Sequence, residues 1–133
     1  VLAEMARSAP ARWYLNNTLD AFHAGTISNT EAAKRIRQHT LAEREQTLKR
    51  IELYLQAPAS QKLQEHYLML AYTQSVVADQ KTIAWLKSGA SAATDPWRYH
   101  AKVSVTKAKL VALLVKTAKP LGVPVPIATE LYP

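Results

Sequence analysis

The stretch that decides the fold, residues 28–89, reads SNTEAAKRIRQHTLAEREQTLKRIELYLQAPASQKLQEHYLMLAYTQSVVADQKTIAWLKSG. It is predicted to form two long helices that meet at Pro58, because proline interrupts a helix interior. The first half is densely charged, whereas residues 67–85 of the second half contain one acid, Asp79, and one base, Lys81. The apolar second helix is therefore expected to lie at the centre of a bundle, beside the charged first helix.

Glycine and proline residues divide the chain into helices, because both residues destabilise helix interiors. Ser28 and Glu31 form a capping box, Gly25 suits a left-handed C-terminal cap, and Asp95 suits an N-cap. Pro10 suits the first turn of a helix. The predicted helices are residues 10–24, 28–56, 58–88 and 95–119.

The spacing of these helices predicts the architecture. Short connections make neighbouring helices antiparallel. We therefore predict an all-α domain over residues 1–119, an up-down-up-down four-helix bundle whose first helix is short. The prolines that follow predict an extended tail over residues 120–133, docked on the bundle or reaching a partner. A three-helix arrangement, with the first helix across one end, is the main alternative.

The composition limits the class of protein. The chain has 133 residues, 48% hydrophobic and 20% charged, which suffices for one domain with its own core. It has no cysteine, which excludes disulfides, thiolate metal sites, cysteine nucleophiles and c-type haem attachment. The longest uncharged helical run, residues 67–78, is too short and too polar to span a membrane. The net charge of +7 favours anionic partners, although solubility explains it equally well.

The residues that could carry out chemistry do not form a catalytic pattern. The chain lacks a Gly-rich phosphate loop and a Gly-x-Ser-x-Gly motif. The histidines fall one to each predicted helix, without the Glu-x-x-His or His-x-x-x-His spacing of helical metal sites. We therefore predict no enzyme activity, no metal and no cofactor, and histidines at the surface or at an interface: His23, His39, His66 and His100.

The last predicted helix has a basic face. Its four aligned cations fall within roughly 40° of one another in helical projection: Arg98, Lys102, Lys109 and Lys116. This stripe is either the solvated back of an amphipathic helix or a face that binds an anionic surface. No aromatic residue interleaves it, which disfavours single-stranded nucleic-acid binding. The opposite face is predicted to be apolar and inward: Trp97, Val103, Leu110, Val111, Leu114, Val115 and Ala118.

Charged residues also fall on faces predicted to pack inside the bundle: Arg37, Arg44, Asp79 and Lys107. Counted from the turns, Arg37, Asp79 and Lys107 should share one layer. An unpaired buried charge is costly, so Asp79 is predicted to pair with Arg37, Lys107 or both. Such a pair could fix the helix register. Alternatively, the excess positive charge could hold a small anion between the helices.

Four short pieces, residues 17–22, 25–28, 31–33 and 66–67, resemble the loose pattern of small bacterial extracytoplasmic helical bundles, often lipoproteins. The resemblance carries no functional motif and implies an extracytoplasmic location. The leading prediction is a non-enzymatic interaction or structural module that binds a protein or an anionic surface. The alternatives are a small-anion binder that uses the inter-helix layer and a non-specific nucleic-acid binder that uses the basic surface.

Overall fold

The computed structural model describes residues 2–56 and 58–119, and within them the chain forms four long helical segments and no strand. In chain order these are α1 (Leu2–His23), then α2 (Asn29–Arg35) continued by a π-helical segment (Ile36–Leu41) and α3 (Ala42–Tyr54), then α4 (Lys62–Lys87) and α5 (Trp97–Ala118). We call α2, the π segment and α3 together the composite helix. The predicted tail, residues 120–133, lies outside the described residues.

The helices pack as the predicted all-α bundle. The composite helix contacts α1 on one side and α4 on another, and α4 also packs against α5. The apolar helix of the sequence, α4, is therefore central, as its composition predicted. In the part of the chain that the structure describes, no helix has both the length and the apolar character needed to cross a bilayer.

The predicted helix ends are confirmed where local chemistry sets them. Ser28 Oγ accepts from the Glu31 backbone N–H at 3.1 Å, and Asp95 Oδ1 accepts from the Trp97 N–H at 3.2 Å, although the N-cap of α5 is Pro96, one residue later than predicted. Gly25 follows α1 with a φ of +74°, a left-handed conformation that glycine adopts without strain. The Glu31 carboxylate does not close the capping box in return, because it pairs with Arg35 at 2.9 Å.

The first helix is not short, contrary to prediction. α1 spans 22 residues and contains Pro10 in its interior rather than in its first turn. A proline there lacks an N–H for the helix and crowds the preceding turn. The side chains of Met5 and Ala9, on the N-terminal side of Pro10, are buried against the bundle. This burial offsets the cost of the proline, which a purely local argument does not include.

The composite helix departs from α-helical geometry between Ile36 and Leu41. In a π-helix each N–H bonds to the carbonyl five residues back, so the segment takes up an extra residue. One extra residue changes the rotation of everything that follows by about 100°. The segment therefore takes Arg37 off the inner face that a uniform α-helical period predicts, whereas Ile36 at its start and Ile51 after it are both buried.

The core consists of two apolar clusters, with buried polar residues between them along the composite helix and α4. One cluster is formed by Leu15, Leu19, Ala32, Ala33, Ile36, Ile83, Trp85 and Leu86. The other is formed by Met5, Ile51, Leu68, Tyr72, Leu110 and Leu114. The buried polar residues that fall between them in the sequence of those helices are Thr40, Arg44, Thr47, Ser75, Asp79 and Thr82. We call these residues the polar layer.

Candidate functional site

The centre of the polar layer is an ion pair between Arg44 of α3 and Asp79 of α4. Arg44 Nη1 donates to Asp79 Oδ1 at 2.5 Å, and the two side chains are 5% and 0% exposed. Asp79 Oδ2 is also buried, and no hydrogen-bond donor from the described residues reaches it. The prediction that Asp79 is buried and paired is confirmed, but its direct partner is Arg44.

Arg37 does not join the polar layer, contrary to prediction. Its side chain is exposed and lines a surface groove of about 470 Å³ together with Leu41, Glu45 and Gln80. In a regular α-helix Arg37 and Arg44 would lie within about 20° of each other. The π segment between them removes this alignment, because its extra residue rotates the two arginines onto different faces.

Lys107 of α5 is half-buried and lies within electrostatic reach of the ion pair, as predicted. Burial lowers the pKa of Lys107 to about 7, with the charges of Arg44 and Arg12 acting in the same direction. Burial likewise raises the pKa of Asp79 to about 6, against the opposing effect of Arg44. Both shifts show that this part of the bundle is poorly solvated.

Arg12 of α1 also influences the group, because its charge lowers the pKa of Asp79 and of Lys107. Sequence reasoning missed Arg12, since a helix beginning at Pro10 left this residue in the first turn. Among the described residues, three cations therefore act on one carboxylate. Lys107 is about half protonated at pH 7, so Arg44 and Arg12 supply most of the excess of positive charge over Asp79 that the small-anion hypothesis required. Arg12 contributes the charge that was predicted for Arg37.

His100 of α5 is partly buried, in contrast to the exposed side chains of His23, His39 and His66. Its Nε2 lies 2.7 Å from Thr82 Oγ1, and that hydroxyl donates to the Ala78 carbonyl at 2.8 Å. The Thr82 hydroxyl and His100 Nε2 share this hydrogen bond, and its direction follows the tautomer of the ring. Burial lowers the pKa of His100 to about 4, so the ring is neutral at pH 7.

The described residues contain no group of three or more His, Asp or Glu side chains placed to hold a metal ion. Apart from Asp79, the side chains of the polar layer carry hydroxyl groups or a guanidinium, which are not typical metal ligands.

The basic face of α5 is the second candidate site. The side chains of Arg98, Lys102, Lys109 and Lys116 are all exposed, as the helical projection requires. An aromatic residue stands among them, contrary to the sequence interpretation. The charged groups of Lys81, Arg98 and Lys102 lie 5.4, 4.9 and 5.8 Å from the ring centroid of Tyr99. Lys81 belongs to α4, so this cluster depends on how two helices pack.

Beside the basic face, α5 exposes an apolar row. Trp97, Val105 and Val115 are 40%, 57% and 47% exposed. Trp97 was predicted to face the core and is partly exposed, but it packs edge-on against buried Trp85, with ring centroids 5.5 Å apart. Val115 was predicted to face the core as well, and this prediction is wrong. The reason is that α5 packs chiefly against α4. A helix with one main neighbour buries a narrow stripe, here Val103, Thr106, Leu110 and Leu114.

Comparison with protein-family models, with curated proteins and with solved structures gives no match to this chain, so its function is argued from the residues themselves.

Proposed function

We propose that this protein is a non-enzymatic binding module that attaches to an anionic membrane surface through α5. The observation that carries the proposal is that one helix exposes basic and apolar side chains together. In helical projection Val105 lies about 20° from the nearest basic residues, and Trp97 and Val115 lie about 80° further round. One row is basic, formed by Arg98, Lys102, Lys109 and Lys116, and the other is apolar, formed by Trp97, Val105 and Val115.

This arrangement suits a helix that lies in the plane of a lipid surface. Such helices combine Lys and Arg side chains with a limited apolar face, and a tryptophan is favoured at the interface. α5 remains attached to the bundle through Val103, Leu110 and Leu114, which are buried. Surface attachment therefore requires no unfolding of the domain.

The expected strength is moderate. Each Lys or Arg near an anionic surface contributes about 1 kcal/mol, and this contribution weakens with salt. Removing three of the four charges should therefore weaken binding by about 3 kcal/mol, or roughly 100-fold. The apolar row adds a contribution that salt does not screen.

The proposal is tested by co-sedimentation with vesicles that contain either anionic or only zwitterionic lipid. The test variant is Lys102→Gln, Lys109→Gln, Lys116→Gln. The matched control removes three exposed charges from the composite helix, Lys34→Gln, Arg37→Gln, Lys49→Gln, with the same change in net charge.

The wild-type protein and the control variant should bind anionic vesicles, and the α5 variant should bind weakly. Equal loss in both variants would show that net charge alone drives binding and would contradict the proposal. Tighter binding to duplex DNA than to anionic vesicles at the same salt concentration would also contradict it, in favour of phosphate-backbone binding.

A further inference from the structure

Three cations gather around Tyr99 at the beginning of α5. The guanidinium of Arg98 and the ammonium groups of Lys81 and Lys102 lie within 5.8 Å of the ring centroid. Arg98 Nη2 also donates to the Tyr99 hydroxyl at 3.0 Å. The ring thus holds together cations from α4 and α5 that would otherwise repel one another.

An open cleft of about 470 Å³ adjoins this cluster. It is lined by Lys81, Arg98 and Tyr99, and by Thr94 and Asp95 of the preceding turn. Its volume falls within the range of small-ligand sites.

The charge of the cleft is positive overall. Two cations, Lys81 and Arg98, line the cleft, and Lys102 adjoins it with its ammonium 5.8 Å from the Tyr99 ring centroid. The one acid in the lining is Asp95, and one of its oxygens already accepts the Trp97 N–H. The Asp95 carboxylate is therefore partly committed to capping α5. The positive charge is also felt by Tyr99, whose pKa is lowered chiefly by the hydrogen bond from Arg98.

We infer that this cleft binds a phosphate monoester. A monoester is close to a dianion at neutral pH and matches the three cations of the Tyr99 cluster, two lining the cleft and one adjoining it, offset by one carboxylate, whereas a diester carries a single charge. Arg98 offers a planar fork for phosphate oxygens, Lys81 offers a point charge from α4, and Lys102 adds a further charge beside Tyr99. This inference rests on the proposed function where the monoester is a lipid headgroup; a free phosphate monoester is the other source.

The test compares vesicles containing phosphatidic acid, a monoester, with vesicles containing phosphatidylglycerol, a diester, at matched zeta potential. The wild-type protein should prefer phosphatidic acid by about tenfold. Lys81→Gln should reduce the preference to near unity while binding to phosphatidylglycerol is largely kept. Lys87→Gln, the same charge change at an exposed site on α4, should retain the preference.

A second arm uses soluble glycerol 3-phosphate and follows the Tyr99 ring resonances by NMR. The resonances should shift in the wild-type protein and in Lys87→Gln, and much less in Lys81→Gln. If no vesicle binds, the proposed function fails and this arm alone decides the inference. Equal binding to both lipids with no Tyr99 shift, or a preference that survives Lys81→Gln, would overturn it.

Discussion

Arg44 and Asp79 connect the composite helix to α4 at a fully buried contact, with Arg44 Nη1 2.5 Å from Asp79 Oδ1. The pair is the charged centre of the polar layer, which lies between the two hydrophobic clusters. Two buried charges are costly to desolvate, so the pair is best understood as a device that fixes which faces meet. Replacing only Arg44 or only Asp79 should destabilise the protein far more than replacing both together.

Arg44→Ala should lower the free energy of unfolding by about 3–5 kcal/mol, because it leaves the Asp79 carboxylate buried without its partner. The double variant Arg44→Met, Asp79→Leu should lose much less than the sum of the single changes, as urea denaturation would show. The exposed Arg35–Glu31 pair is the control and should contribute less than about 1 kcal/mol. Additive losses at Arg44 and Asp79 would contradict the account.

Lys107 should make the protein more stable as the pH rises above neutrality. Its pKa is lowered from 10.5 to about 7, so between these values the unfolded chain binds more protons than the folded protein. The free energy of unfolding therefore increases with pH in this range. Urea denaturation at pH 7, 8 and 9 should show the increase in the wild-type protein. Lys107→Met should show a smaller slope, and an unchanged slope would contradict the shift.

The π segment makes a prediction about deletions in the composite helix. Deleting Gln38, an exposed residue inside the segment, should restore α-helical bonding and keep Arg44 facing Asp79. Deleting Lys49, an exposed residue of α3, should rotate Ile51 by about 100° away from the core. That loss of burial should cost about 2–5 kcal/mol, measured by urea denaturation. A similar loss of stability for both deletions would mean that the π segment does not contain an extra residue relative to an α-helix.

Pro10 tests whether α1 continues through the proline. Its side chain is exposed, so Pro10→Ala adds a backbone donor and removes a steric conflict without disturbing the core. The free energy of unfolding should rise, by up to about 3 kcal/mol. Pro58→Ala is the control, because Pro58 precedes a helical turn at a φ of −60° that proline favours. If Pro58→Ala raised the free energy of unfolding and Pro10→Ala did not, the result would indicate a helix that begins at Pro10.

Features that depend on neighbouring residues were predictable from the sequence. Ser28, Gly25 and Asp95 set helix ends through bonds to residues a few positions away, and these predictions are confirmed to within one residue. The burial and pairing of Asp79 followed from its place on an apolar face, together with the cost of an unpaired charge.

Features that depend on packing between helices were not predictable in the same way. The choice of Arg44 over Arg37 depends on the π segment, which no residue pattern announced. The contribution of Arg12 was not predictable, because Pro10 favours the first turn of a helix whereas α1 begins at Leu2. The Tyr99 cluster takes Lys81 from another helix, although the position of Tyr99 between Arg98 and Lys102 was visible in the sequence.

Labels at two exposed apolar positions show whether α5 lies on an anionic membrane surface. Because the chain has no cysteine, Val105→Cys on α5 and Leu53→Cys on α3 each introduce a single attachment site for a nitroxide. The two side chains are 57% and 64% exposed, so they are matched in free solution. On addition of anionic vesicles, electron paramagnetic resonance should show the label at 105 losing access to a water-soluble relaxant and gaining access to oxygen. The label at 53 should stay unchanged. A label at 105 that remains fully accessible to water while the protein is bound to vesicles would contradict the account.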